Sequence, residues 1–362
     1  MNELDRAWLI LGKAHLHGEN LARLLQAHGS ATAIVAARRN ELPESLRDAI
    51  LRPDENAINR DVEWLQAAGH HLVHPDSPDY PELMRQMPGA PTLLYVVGNC
   101  AALNLPSLAI VGSRNPTRGG MQNAYEFAKH LAGCGFCIVS GLAQGIDTAA
   151  HNGALASDAM TVAVLGHGID RVYPAANRDL AHRIAASGAL ISEYSLGTAP
   201  KKEHFPQRNR LISGLSLGTL VVEAARQSGS LITARLSSDQ GREVFAIPGS
   251  IHNPMSRGCH KLIREGAKLV ESAEDIVNEL GSLAGHLMQN TATTNVQTSA
   301  PTLDPEYKAL LEVLAFDPAT ADQLAERSGL TIEQVSSMLL ILELEGKVET
   351  QSGGRYSQLR NS

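Results

Sequence analysis

With 362 residues and 43% apolar side chains, the chain can build one large domain and one or two small ones, which excludes wholesale disorder. No apolar run approaches the roughly 18 residues of a membrane helix. The acidic start Met-Asn-Glu-Leu-Asp lacks the basic opening of a secretory signal, so a cytoplasmic protein without membrane contact is expected. The formal charge of −7 speaks against a polyanionic partner only until the charges are located. Residues 1–200 hold 15 basic and 19 acidic groups, 201–268 hold 11 and 5, and 269–362 hold 5 and 14.

Residues 1–65 read as short helices. Leu9, Leu11, Leu21, Leu24 and Leu25 recur at helical spacing, with Gly18 and Gly29 as punctuation. Trp8-to-Gly18 followed by Asn20-to-His28 suits a helix-hairpin-helix (SAM-like) module or a helical cap on the next domain. Residues 66–280 alternate apolar runs with helical stretches. The runs are Leu72-Val73, Leu93-to-Val97, Leu108-to-Val111, Cys137-to-Val139, Thr161-to-Leu165, Ala189-to-Ile191, Thr219-to-Val222, Val244-to-Ile247 and Lys268-to-Val270. Most are short and bounded by Gly, Ser or Pro, as strands buried on both faces are. Helical stretches such as Met121-to-Ala132 and Leu231-to-Gln240 lie between them. The pattern predicts an α/β fold with a mainly parallel sheet covered on both sides, whose ligands sit beyond the carboxyl ends of the strands.

Residues 281–303 carry no Asp, Glu, Lys or Arg and read as a linker. From 304 to 362, helices over Glu306-to-Ala315, Thr320-to-Ser328 and Ile332-to-Leu344, then a hairpin within Gly346-to-Tyr356, predict a winged helix. Its second-from-last element, starting near Thr331, has no Lys or Arg. A role in protein contact therefore suits it better than reading a major groove. Four cysteines occur. Cys134 and Cys137 have CxxC spacing but no second ligand pair, so two buried thiols are expected rather than a zinc site, and no metal or cofactor is called for.

The chemistry concentrates after the strands. Gly112-Ser113-Arg114 opens a small-residue turn running to Gly120 before a helix, where loop and helix-terminal amides suit a phosphate; a tight turn with a solvated Arg is the plainer reading. It is neither the GxGxxG fingerprint nor a Walker A loop. Asp147 and His151 are four apart in a helix. With no nucleophile beside them, structural hydrogen bonding is expected and no catalytic residue is assigned. Lys201-Lys202-Glu203-His204-Phe205-Pro206-Gln207-Arg208-Asn209-Arg210 places four cations around one aromatic ring in a chain that is 4% aromatic. A base stacked on such a ring gains about 1–3 kcal/mol regardless of sequence, and only an unpaired strand exposes its base faces. Arg226 followed by Ser228, Gly229 and Ser230 forms a second anion seat on the same rim. Two seats suit consecutive phosphates.

These loops, in this order, resemble the DNA-processing protein A (DprA/Smf) family. The match runs through Gly112-Ser113-Arg114, Ser140-Gly141, Gly145-Ile146-Asp147, Ala150-His151, Phe205 to Arg210, Glu223, Ser228 to Thr233, Gly241 to Gly249, Gly258-Cys259-His260 and Glu265-Gly266-Ala267. The resemblance spans about residues 70–280 and implies an extended Rossmann domain that binds single-stranded DNA and dimerises. It also implies a non-enzymatic role in loading the recombinase RecA during natural transformation. It assigns DNA contacts to Arg114, Lys202, Phe205, Arg208, Asn209 and Arg226, and matches the flanking helical and winged-helix modules. Two other classes compete. A lysine-decarboxylase-like phosphoribohydrolase would need a Pro-Gly-Gly-x-Gly-Thr loop where Gln227-to-Thr233 stands. A winged-helix transcription regulator would need a basic recognition helix.

Overall fold

Alternate residues of the central strand β3 (Ser107–Val111) serve two different cores, Leu108 and Ile110 one and Ala109 and Val111 the other. That demand for apolar partners on both faces explains the whole sheet. A computed structural model describes residues 2–16 and 18–281. Beyond these it describes 310, 313–314, 319–332, 334–335, 338–339, 342, 348–351 and 355–358. The chain divides into two compact units, residues 1–294 and 295–362.

In the first unit nine strands pair in the order β1-β2-β6-β5-β4-β3-β7-β8-β9. They are β1 (His70–Val73), β2 (Leu94–Gly98), β3, β4 (Cys137–Ser140), β5 (Thr161–Val164), β6 (Ala189–Ser192), β7 (Gly218–Val221), β8 (Glu243–Ala246) and β9 (Lys268–Leu269). The pairs β1–β2 and β2–β6 are antiparallel and the others parallel. The chain winds outward from β3 through β4, β5 and β6, then returns to β3's other side with β7. At that reversal the crossovers leave in opposite directions and open a crevice. The helices α7 (Arg118–Gly133) and α8 (Ile146–Leu155) cover one face, while α10 (His204–Gly214), α11 (Ser230–Asp239) and α12 (Arg257–Arg264) cover the other. Each strand named from the sequence is present, so the predicted mainly parallel α/β sheet is the observed fold.

Residues 1–65 form α1 (Glu3–Lys13), α2 (Gly18–His28), α3 (Ala31–Val35), α4 (Glu44–Leu51) and α5 (Glu55–Trp64). They share one apolar core with Tyr95, Ala163, Leu165 and Leu190 of the sheet, which makes them a cap on it. Gly18 begins α2 with φ +59° instead of closing α1, which stops at Lys13. The cap is tied down by charge as well. Lys13 Nζ stands 2.6 Å from Asp61 Oδ2, which also accepts from the Tyr95 hydroxyl at 3.2 Å. Cys134, expected to be buried with Cys137, is instead exposed at the end of α7; Cys137 is buried in β4, and burial pushes its thiol up to about 12.

In the second unit a helix over Ala321–Ser328 begins at a Thr320–Gln323 capping box and ends at Gly329, φ +72°. Strands Ala319–Thr320, Val348–Gln351 and Arg355–Gln358 form a small antiparallel sheet, the hairpin of a winged helix. The expected helix Glu306-to-Ala315 and the linker fall mostly outside the described residues, and the helix Ile332-to-Leu344 does so in part.

The Asp61 carboxylate is 1% exposed, and burial raises its pKa despite Lys13. Lys13→Met strands that charge and should cost about 3–5 kcal/mol in urea unfolding at neutral pH. The deficit should shrink as pH falls, because a carboxyl with a raised folded pKa gains folded-state stability on protonation. Asp61→Asn in the same background should recover much of the loss.

Candidate functional site

Beyond the carboxyl ends of β3 and β7 lies a cleft of about 680 Å³. Its lining includes Gly112, Ser113, Arg114, Lys202, Phe205, Arg208, Asn209, Gly229 and Ser230. Thus three segments that the sequence singled out separately meet in one place. Arg226 is exposed but is not part of the lining, although its neighbours Ala225 and Gln227 are.

The Gly112 turn is built differently from the expectation. The amides heading α7 were expected to await an anion, but a protein carboxylate already sits there. Glu223, at the end of β7, accepts from Thr117 N at 2.8 Å and Thr117 Oγ1 at 2.7 Å, and Thr117 Oγ1 in turn caps Gly120 N at 3.0 Å. Ser113 N is spent on the Glu223 carbonyl at 2.7 Å, and Asn115 N on Ser113 Oγ at 3.1 Å. What this turn presents is therefore the exposed Arg114 guanidinium, held by a well-braced backbone.

The following loop nests against it. Ile146 N donates to Ser113 O at 3.1 Å. A Cβ at Gly145, where φ is +82°, would stand 2.4 Å from the same oxygen. Asp147 accepts from Gly141 N at 3.1 Å and Ala143 N at 3.3 Å, shaping the loop; burial raises its pKa, while Arg208, two amides and Arg114 oppose that rise. His151 Nδ1 lies 2.8 Å from Thr161 Oγ1, whose own proton goes to Ile138 O at 2.6 Å. The imidazole therefore donates from Nδ1. Burial, and then Arg208, bring its pKa down to about 3.

The cation-rich stretch begins before α10 and then coils into it, which sorts its residues. Lys202 is exposed ahead of the helix and faces the cleft. Phe205 and Arg208, three apart, share one face of the helix. Phe205 is half-buried: the Arg114 Cζ lies 5.5 Å from its centroid, Arg208 Cζ 6.0 Å, and the Tyr173 ring 5.8 Å. Arg208 is 4% exposed and forms the floor, donating to Gly141 O at 2.8 Å and to Val164 O. Burial lowers its pKa to about 10, still charged at neutral pH. The resemblance assigned it a DNA contact; the turn of α10 carries it inward, where its bonds go to the protein's own carbonyls while it still lines the cleft. Arg210 points away from the cleft to Glu193 and Gly89 O.

One helix start at the cleft remains unclaimed by an acid: α11 has Gly229 at its cap, no side-chain cap bond and no acidic residue in its first turn, whereas α10 carries Glu203 at its cap. At α11 the Ser228 and Ser230 hydroxyls lie 2.7 Å apart, beside Gly229. Such ends favour negative charge. Tyr173, 47% exposed, was missed. It follows the fifth predicted strand, and the rule that sites lie past strand ends pointed to it.

A family model described as DNA recombination-mediator protein A matches residues 71–281, and one described as the DprA winged helix domain matches residues 295–354. Protein Smf of Escherichia coli (strain K12) is 37% identical over 359 residues, 98% of this chain and 96% of that protein. The X-ray structure of DNA processing protein A from Streptococcus pneumoniae matches with a TM-score of 0.67 and 36% identity, covering 76% of this chain and 97% of that one. A structure of DNA processing protein A from Helicobacter pylori, described for its single-stranded DNA binding mode, matches with a TM-score of 0.54 and 30% identity, covering 59% and 96%.

His151 supplies a pH test of this packing. Its folded pKa, about 3, lies far below the ordinary 6.5, so the stability it lends is complete above 6.5 and drains away as pH falls toward 3. Urea midpoints measured from pH 7 to 4 should therefore fall more steeply for the parent than for His151→Gln.

Proposed function

The chain belongs to the DNA recombination-mediator protein A family, and from that premise we propose that it binds single-stranded DNA in the cleft at the β3–β7 reversal. The observation that carries this reading is one ring among cations. Phe205 is accessible beside Tyr173, with Arg114 and Lys202 outermost and the acid-free start of α11 lining the same cleft. A base stacks on the ring and flanking phosphates meet Arg114, Lys202, Asn209 and the Gly229–Ser230 turn. Gly112 and Ser113 brace the turn that carries Arg114. Arg208 contributes field from below. A duplex hides the faces that such a ring engages, so the reading is specific for unpaired strands.

The finer role is that of a mediator: the chain, as a cytoplasmic homodimer without catalytic chemistry of its own, holds incoming strands and passes them to the recombinase RecA during transformation. The family's description as a recombination mediator, and its DNA-processing relatives, support this. Light scattering reads the dimer, and RecA filament growth on strands coated with single-strand-binding protein reads the hand-over. Filaments growing no faster with the chain than without it would sink the mediator role.

Two substitutions separate the forces at the cleft. Arg114→Ala should weaken binding of an unpaired oligonucleotide and flatten the plot of log affinity against log salt by about 0.7. Phe205→Ala should cost about 1–3 kcal/mol and keep that cost at high salt, since stacking is not screened. If both variants fold and bind like the parent, the assignment of the cleft is wrong. A chain ending at residue 281 should keep the binding.

A further inference from the structure

Ile251 is 73% exposed, the most exposed large apolar side chain among the described residues. A lone exposed isoleucine is ordinary; this one is distinguished by its mount and its neighbours. It tips the loop joining β8 to α12, on the same rim of the sheet as the cleft. The loop is braced at both ends. His260 Nε2 lies 3.0 Å from Gly249 O, and Asn253 Oδ1 accepts from Met255 N at 2.9 Å. Ala224 N donates to Met255 O at 2.6 Å and Gly258 N to Ala224 O at 2.7 Å, clamping the loop to the end of β7. Met255 itself lines the cleft, as does Ile232 of α11, 42% exposed.

Charge follows the same path. Residues 244–264 contain Arg257, Lys261 and Arg264 and no Asp or Glu. Arg257 is exposed two residues past Met255, and Arg226 is exposed between two residues that line the cleft. Arg226 was named as a DNA contact but lies outside the cleft; a path that continues past it gives it a partner.

We infer that a single strand leaving the cleft continues over the β8–α12 loop, where Arg226 and Arg257 meet its phosphates and Ile251 packs against its bases. This extension rests on the reading of the cleft given above. It makes the site longer than the pocket and polar in direction, with stacking on Phe205 at one end and an aliphatic contact at the other. Ile251, having no ring, discriminates little among bases, as suits a strand of any sequence.

Oligothymidylates of increasing length, titrated onto the full chain, test it. Ile251→Ser and the double variant Arg226→Ala/Arg257→Ala should match the parent on the shortest oligomers that bind. Past a threshold length the parent should tighten by about tenfold. Most of that gain should be missing from each variant. The double variant's salt slope should be shallower by about 1.4 on long oligomers only, 0.7 for each phosphate lost. Variants that track the parent at all lengths overturn the extension and leave the cleft standing, as do variants that lose equally on short and long oligomers. A parent that binds none of them overturns the cleft reading itself.

Discussion

A buried guanidinium underlies the cleft. Arg208 comes in from α10 and bonds to the carbonyls of Gly141, just past β4, and Val164, the last residue of β5, with Asp147 as its nearby countercharge. Burying two charges costs several kcal/mol each and is tolerated only where geometry and further hydrogen bonds compensate. Here the compensation comes from the backbone: the Gly141 and Ala143 amides donate to Asp147, and the Gly141 and Val164 carbonyls accept from one Arg208 terminal nitrogen. The same pair fixes the register of α10 over the sheet. Phe205, one turn earlier on that face, is set at the cleft wall as a result.

The acids near the site explain how a chain of net charge −7 can present a cationic rim. Glu223 is consumed by Thr117 at the start of α7, Asp147 by backbone amides, and Glu193 by Arg210. Each of these three is an acceptor turned inward on the protein, and Glu203 beside Lys202 is the exposed exception. Arg114, Lys202, Arg226 and Arg257 are left facing water, and at short range these govern what approaches.

The sheet was legible because strands buried on both faces leave a strong mark: continuous apolar runs ended by small residues. The loops were legible for a related reason, since a strand end must be followed by residues that tolerate close approach. Side-chain direction was not legible. Arg208 and Lys202 look alike in a run of cations, and only the turn of α10 sends one to the floor and leaves the other at the mouth. Glu223 gave no sign of filling the head of α7, because its partner Thr117 lies 106 residues earlier. Tyr173 sat in a Gly- and Pro-containing loop with no cation run to draw notice. For residues 1–65 the helices were readable, but their docking was not. Amphipathic spacing shows that a face is covered without showing what covers it.

The winding of the sheet has a consequence for synthesis. Since β7 returns to β3 only after β4, β5 and β6 have been laid down, the Glu223 brace and the α11 turn reach the Gly112 loop late. A nascent chain emerging from the ribosome up to residue 215 carries Arg114 and Phe205 but lacks the strand that braces their loops. The half-made polypeptide thus has both side chains without the brace that sets them, and the cleft is complete only with the finished sheet.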